Sequence, residues 1–113
     1  MTTKPPAAEK HGERPQAHIP IPYAQVAEFC RRNRIRWLAL FGSVLSDDFG
    51  PDSDVDVLVE FEPEARVGMM ALSRMQRELS ALFVRPVDFV PKNGLKRRIR
   101  DSVLASAQVI YAN

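Results

Sequence analysis

The sequence predicts an α+β fold, an α/β layer of about four strands with helices packed on it, and three observations predict it. Two apolar runs, Arg36–Phe41 and Val55–Phe61, are too short for helices and long enough for buried strands. Three other stretches repeat apolar residues at spacings of three and four, the period of a helix with one buried face. These elements alternate along the chain as helix, strand, strand, helix, strand, helix and a last short strand, the order of a sheet covered by helices. With 113 residues and 45% hydrophobic content, the chain supports one core and one domain.

Residues 1–20 contain four prolines and several charges and read as a disordered tail, so the domain is assigned to 21–113. His11 and His18 lie in that tail and read as solvated. Pro22 suits the first turn of a helix. Tyr23, Val26, Phe29 and Cys30 then fall on one face. Arg31, Arg32 and Arg34 complement the negative end of its dipole, with Asn33 as the stop. Arg36–Phe41 is the first strand. A short helical turn is expected at Ser46-Asp47-Asp48, and Gly50-Pro51-Asp52-Ser53 is a strong turn signal. Val55, Val57 and Val59 alternate with Asp54, Asp56 and Leu58, a strand with one polar end, stopped by Pro63. Val67–Phe83 reads as a second helix with Met69, Leu72, Met75, Leu79 and Leu82 on its buried stripe, the methionines as core filler. Val87–Val90 is a short strand carrying Asp88. Asn93-Gly94 leads into a third helix, apolar at Leu95, Ile99 and Val103 and basic at Lys96, Arg97, Arg98 and Arg100. Gln108–Tyr111 is the last strand.

Composition narrows the function. No stretch approaches the ~20 apolar residues of a membrane span, and the N-terminus lacks the apolar core of a secretory signal. The single cysteine, Cys30, cannot form an internal disulfide, and a cytoplasmic location is expected. The net charge of +2 does not by itself imply nucleic acid, and no direct nucleic-acid partner is expected. Charge is segregated, however. Eight of the fourteen acids lie between Asp47 and Glu64, with no Lys or Arg among them.

Inside that acidic block lies the informative pattern. Gly42-Ser43 closes one strand, ten residues follow, and Asp54-Val55-Asp56 opens the next. Residues two apart on a strand face the same way, so Asp54 and Asp56 present paired carboxylates. Such a pair is costly unless a cation neutralises it. Oxygen ligands favour Mg²⁺ or Mn²⁺. If the strand carrying Asp88 lies beside Val55–Phe61, a third carboxylate joins them. Three acids then suit two metal ions and in-line phosphoryl or nucleotidyl transfer. Glycine at position 42 lets a phosphate approach the backbone, and Ser43 adds a hydroxyl and free amides. Taken singly, each feature is more often a turn or a solvated acid; their conjunction carries the reading. Asp47, Asp48 and Asp52 read as solvated or capping.

These residues resemble the signature of the DNA polymerase β-like nucleotidyltransferase superfamily: Gly42, Ser43, Asp54, Asp56 and Asp88 match it position for position. The chain from about residue 22 to 113 looks like its minimal nucleotidyltransferase branch. The run Pro51-Asp52-Ser53-Asp54-Val55-Asp56-Val57-Leu58-Val59-Glu60-Phe61 is especially similar to antitoxins paired with HEPN-domain toxins. The resemblance implies a palm-type mixed sheet, ATP with Mg²⁺, and transfer of AMP to a tyrosine hydroxyl of the HEPN toxin, which neutralises it. In that reading Asp54 and Asp56 hold both metals. Asp88 completes one metal site and accepts the proton of the incoming hydroxyl, while Gly42 and Ser43 hold the β- and γ-phosphates. Many relatives carry an arginine soon after the Gly-Ser, where this chain has Val44, Leu45 and Ser46. A chain this short leaves little to build a second substrate pocket, so the acceptor surface is expected from a partner protein. Two rival readings remain: a non-catalytic antitoxin that neutralises its toxin by binding, and nucleotidyl transfer to a small molecule.

Overall fold

The computed structural model describes residues 17–113. Helix α1 spans Tyr23–Arg32, strand β1 Ile35–Phe41, β2 Val55–Phe61, helix α2 Met69–Phe83, β3 Val87–Pro91, helix α3 Arg97–Ser106 and β4 Gln108–Ala112. The strands form one mixed sheet in the order β3-β2-β1-β4. β1 runs antiparallel to both β2 and β4, and β2 runs parallel to β3. The parallel pair requires a crossover, which α2 supplies.

One face of the sheet carries the main core. α1 packs on β1 and β4, α2 packs on β3, and the two helices touch. Val26, Phe29 and Cys30 from α1 and Met75, Leu79 and Phe83 from α2 bury against Leu38, Leu40, Val57, Val59 and Ile110. Phe29 meets Phe89 edge to face at 6.5 Å between ring centroids. Because strand side chains alternate, Asp56, Leu58, Glu60 and Asp88 point to the other face.

α1 begins and ends where the sequence implies. Asn33 caps it, donating its side-chain amide to the Phe29 carbonyl at 2.8 Å. The left-handed residue that follows is Arg34, at φ 58°.

Four expectations need correction. The second helix starts at Met69, not Val67, and Met69 and Met70 are 78% and 87% exposed. Val67, Ala71 and Leu72 around them pack against the core, so this first turn points Met69 and Met70 outward, and of the helix methionines only Met75 fills the core. Tyr23, placed on the buried face of α1, is exposed, and Ile21 just before it packs against the core instead. α3 has no buried residue: Ile99 is exposed, and the helix is seated by its flanks, Leu95 and Ala107. The helical turn expected at residues 46–48 instead forms at Gly42–Leu45, directly after β1.

The tail assigned to residues 1–20 lies, for its first sixteen positions and His11, outside the described residues. From Ala17 the chain is seated on the domain. The Ala17 amide donates to Gln108 Oε1 at 2.7 Å, the His18 amide donates to the Val44 carbonyl at 2.9 Å, and Ile19 and Ile21 pack against the core. Two isoleucines and two satisfied backbone groups are enough to hold this arm down.

Candidate active site

The candidate residues converge at one end of the sheet. Phe41, the last residue of β1, pairs in register with Asp56 of β2, and Asp56 pairs with Asp88 of β3. Three adjacent strands therefore bring the chain entering Gly42, the Asp56 carboxylate and the Asp88 carboxylate into one row. In a parallel pair, residues in register face the same side, so both acids point to the face away from α1 and α2. Their neighbours Val55, Val57, Val87 and Phe89 are buried in the core on the opposite side, which fixes that orientation.

Asp54 lies just before β2, in extended chain. Both peptide groups flanking it are held by the segment leading into β3. The Ser53 carbonyl accepts from Arg85 Nη1 at 3.0 Å, and the Val55 amide donates to the Pro86 carbonyl at 2.9 Å. The preceding turn is closed by Ser53 N–H to the Gly50 carbonyl and by Gly50 N–H to Ser53 Oγ, each at 3.1 Å.

Gly42 sits against Asp56. Its φ is +78°, a conformation costly for any other residue, and a Cβ built there would overlap the Asp56 carboxylate, lying 3.2 Å from Cγ. Both the conformation and the contact demand glycine. Ser43 is half-buried in the turn, and its carbonyl accepts the Ser46 amide at 2.8 Å.

The electrostatics of this row are unbalanced. Burial pushes the Asp56 carboxyl above the ordinary carboxylate range, and the charges of Asp88 and then Asp54 push it the same way. None of the three acids forms an ion pair with a cation of the described residues. A divalent cation is the group that such a donor set suits. No three His, Cys, Asp or Glu side chains among the described residues stand close enough to enclose one ion. The anticipated three-carboxylate cage is therefore not drawn closed. Mg²⁺ does not require one, since it is commonly held by one or two carboxylates together with substrate phosphates and water.

The remaining acids of the block are set apart. Asp47, Asp48 and Asp52 are exposed, and Asp47 lies 3.7 Å from His18 Nε2. Cys30 is fully buried, and burial drives its thiol up to about 12, against a smaller opposing effect of Arg31, so it is core and not a nucleophile. A cleft of about 460 Å³ opens at the opposite end of β2, beside Glu60, Phe61 and Lys92, and no candidate residue lines it.

Arg85 is the residue that reading the sequence missed. Arg85-Pro86 reads there only as a break after a helix, and nothing local signals contacts 32 and 35 residues away.

Comparison with known proteins agrees with the arrangement. Residues 24–110 match the nucleotidyltransferase domain family. The chain is 34% identical over 88 residues to the protein adenylyltransferase MntA of Thermococcus cleftensis, covering 78% of this chain and 85% of the relative. A solved structure described as a minimal nucleotidyltransferase superposes with a TM-score of 0.63 at 33% identity, covering 75% of this chain and 85% of that one. A complex of tri-AMPylated Shewanella oneidensis HEPN toxin with MNT antitoxin shares the fold, with a TM-score of 0.59 at 17% identity over 80% of this chain and 70% of that one. The mixed four-stranded sheet, the Gly-Ser turn set against Asp56 and the sequence match agree: this chain belongs to the nucleotidyltransferase domain family.

Proposed function

We propose that this protein is a Mg²⁺-dependent adenylyltransferase that moves AMP from ATP onto a tyrosine hydroxyl of a partner HEPN toxin and so neutralises it. The observation that carries the reading is the row formed by Gly42, Asp56 and Asp88 across three neighbouring strands. A glycine that admits only backbone, set beside two carboxylates with no cation partner among the described residues, suits a triphosphate bound over a divalent ion. The Thermococcus relative is named for adenylyl transfer to protein, and the similar complex contains an AMPylated HEPN toxin; both support the acceptor class.

In this reading Asp54 and Asp56 ligate the metal, with Asp88 completing the set. The bound ions supply charge neutralisation at the phosphates and lower the cost of ionising the acceptor hydroxyl. Gly42 and Ser43 receive the β- and γ-phosphates. The acceptor oxygen forms a bond to the α-phosphorus, the bond to the bridging oxygen breaks, and pyrophosphate leaves. Asp88, the exposed acid of the row, takes the proton of the hydroxyl.

The test uses ATP labelled in its α-phosphate or its γ-phosphate, with the HEPN toxin as acceptor. The α label is expected on the toxin and the γ label is not. The double substitution Asp54→Asn with Asp56→Asn is expected to abolish transfer. Transfer surviving in that variant would refute the metal assignment. A variant that no longer labels the toxin yet still neutralises it would favour a binding antitoxin.

A further inference from the structure

We infer that Arg85 is a positioning residue for the adenylyl-transfer reaction, tying Asp54 to the strand that carries Asp88; the inference rests on the reading just given. Arg85 belongs to neither carboxylate-bearing strand. It lies between the end of α2 and the start of β3, three residues before Asp88. Its side chain reaches back across the sheet end to the turn before Asp54. One nitrogen, Nη1, donates to the Gly50 carbonyl at 2.9 Å and to the Ser53 carbonyl at 3.0 Å. The guanidinium plane lies over the Phe49 ring, 4.3 Å from its centroid.

The geometry around Asp54 gives these contacts their meaning. Asp54 is exposed, precedes the regular ladder of β2 and has no side-chain hydrogen bond among the described residues. Its carboxylate is aimed only through its backbone. The peptide group before it is held by Arg85 and the one after it by the Pro86 carbonyl. Two consecutive residues thus clamp both sides of Asp54, and both belong to the segment that leads into Asp88. Arg85 in turn is held at its own backbone, where its amide donates to the Ser80 carbonyl at 3.1 Å, and the Val87 amide donates to Ser80 Oγ at 3.0 Å. The last turn of α2 thereby anchors the arm that fixes the turn. Placing a metal-ligating carboxylate within a fraction of an ångström requires such support, and a displacement of about 1 Å can cost on the order of 100-fold in rate.

A forked, planar cation suits this job. It can serve two carbonyls from one edge while its face stacks on an aromatic ring. Arg85→Met keeps much of the apolar cover on Phe49 and removes both donors. Arg85→Lys keeps a cation that can reach one carbonyl.

The test compares wild-type protein, Arg85→Met and Arg85→Lys in steady-state AMP transfer to the HEPN toxin, and in amide hydrogen exchange of the protein alone. Arg85→Met is expected to lower kcat about 10- to 100-fold. KM for ATP should stay close to wild type, because Gly42 and Ser43 are untouched. Arg85→Lys should recover part of kcat. In exchange, the amides of Gly50, Ser53 and Val55 should lose protection while those of Leu38 and Leu40 in β1 keep theirs. Wild-type kcat in Arg85→Met would overturn the inference. So would exchange that accelerates in β1 as much as in the turn, since that would report general destabilisation. An inert wild-type protein would count against adenylyl transfer itself, and the exchange comparison would still decide the positioning role.

Discussion

The Cα of Gly42 rests against the carboxylate of Asp56, leaving no room for a methyl group between them. The turn that would receive phosphate and the acid that would receive metal are thus in direct contact, with no side chain interposed. Gly42→Ala should therefore fail twice. An L residue at φ +78° costs about 1–3 kcal/mol, and the added carbon must push Asp56 aside. Urea denaturation should show a loss of stability of that size, and AMP transfer should fall by about 100-fold or more. An alanine variant with wild-type turnover would mean that this contact is incidental.

Asp56 predicts an unusual dependence of stability on pH. Its carboxyl is raised above the ordinary carboxylate value by burial, Asp88 and Asp54. The folded chain therefore holds this proton where the unfolded chain has released it. By linkage, stability falls as pH rises through the window between the ordinary value and the raised one. In EDTA at neutral pH, Asp56→Asn should melt at a higher temperature than wild type. Mg²⁺ should raise the melting temperature of wild type and have much less effect on the variant. A destabilised Asp56→Asn in EDTA would contradict the assignment of Asp56 as an uncompensated charge. The same proton would compete with a cation held in the proposed role, so AMP transfer should decline as pH is lowered through the raised value.

Val84 ends α2 in the left-handed conformation at φ 57° and is 85% exposed. A β-branched residue is poorly suited there, whereas glycine is the common choice at that position. Val84→Gly should stabilise the protein by about 0.5–1 kcal/mol and leave AMP transfer unchanged. Chemical denaturation checks the first outcome; a loss of stability would show that Val84 makes a contact worth more than its strain.

Cys30 should resist thiol reagents in the native state. Its thiol is fully buried and shifted to about 12, so almost no thiolate forms at pH 8. Modification should track unfolding and accelerate with denaturant. Rapid labelling without denaturant would place Cys30 outside the core.

Much of this molecule is local, and the local part is legible in the chain. Pro22 and Asn33 bracket α1, the valines of β2 announce a half-buried strand, and the Gly42-Ser43 and Asp54-Asp56 spacing marks the candidate site. What escapes a linear reading is what depends on placement. Met69 and Ile99 fit the apolar spacing yet are exposed, because which side of a helix the rest of the fold covers is not encoded in periodicity. Ala17 and Ile19 look like tail because their partners, Gln108 and the core, lie far along the chain. Arg85 looks like a helix break because its carbonyl partners precede it by more than thirty residues. Asp88 falls between: the residue is conspicuous, but only the parallel pairing of β2 with β3 sets it beside Asp56.

Asp54, Asp56 and Asp88 are proposed to drive AMP transfer to a protein acceptor. Intact mass spectrometry of the HEPN toxin tests it most directly, after incubation with ATP, Mg²⁺ and either wild-type protein or the Asp54→Asn, Asp56→Asn variant. A gain of one or more AMP units with wild type, and none with the variant, is the predicted result. An unchanged toxin mass with wild type would exclude AMP transfer to the toxin, and the same gain with the variant would exclude the role of Asp54 and Asp56.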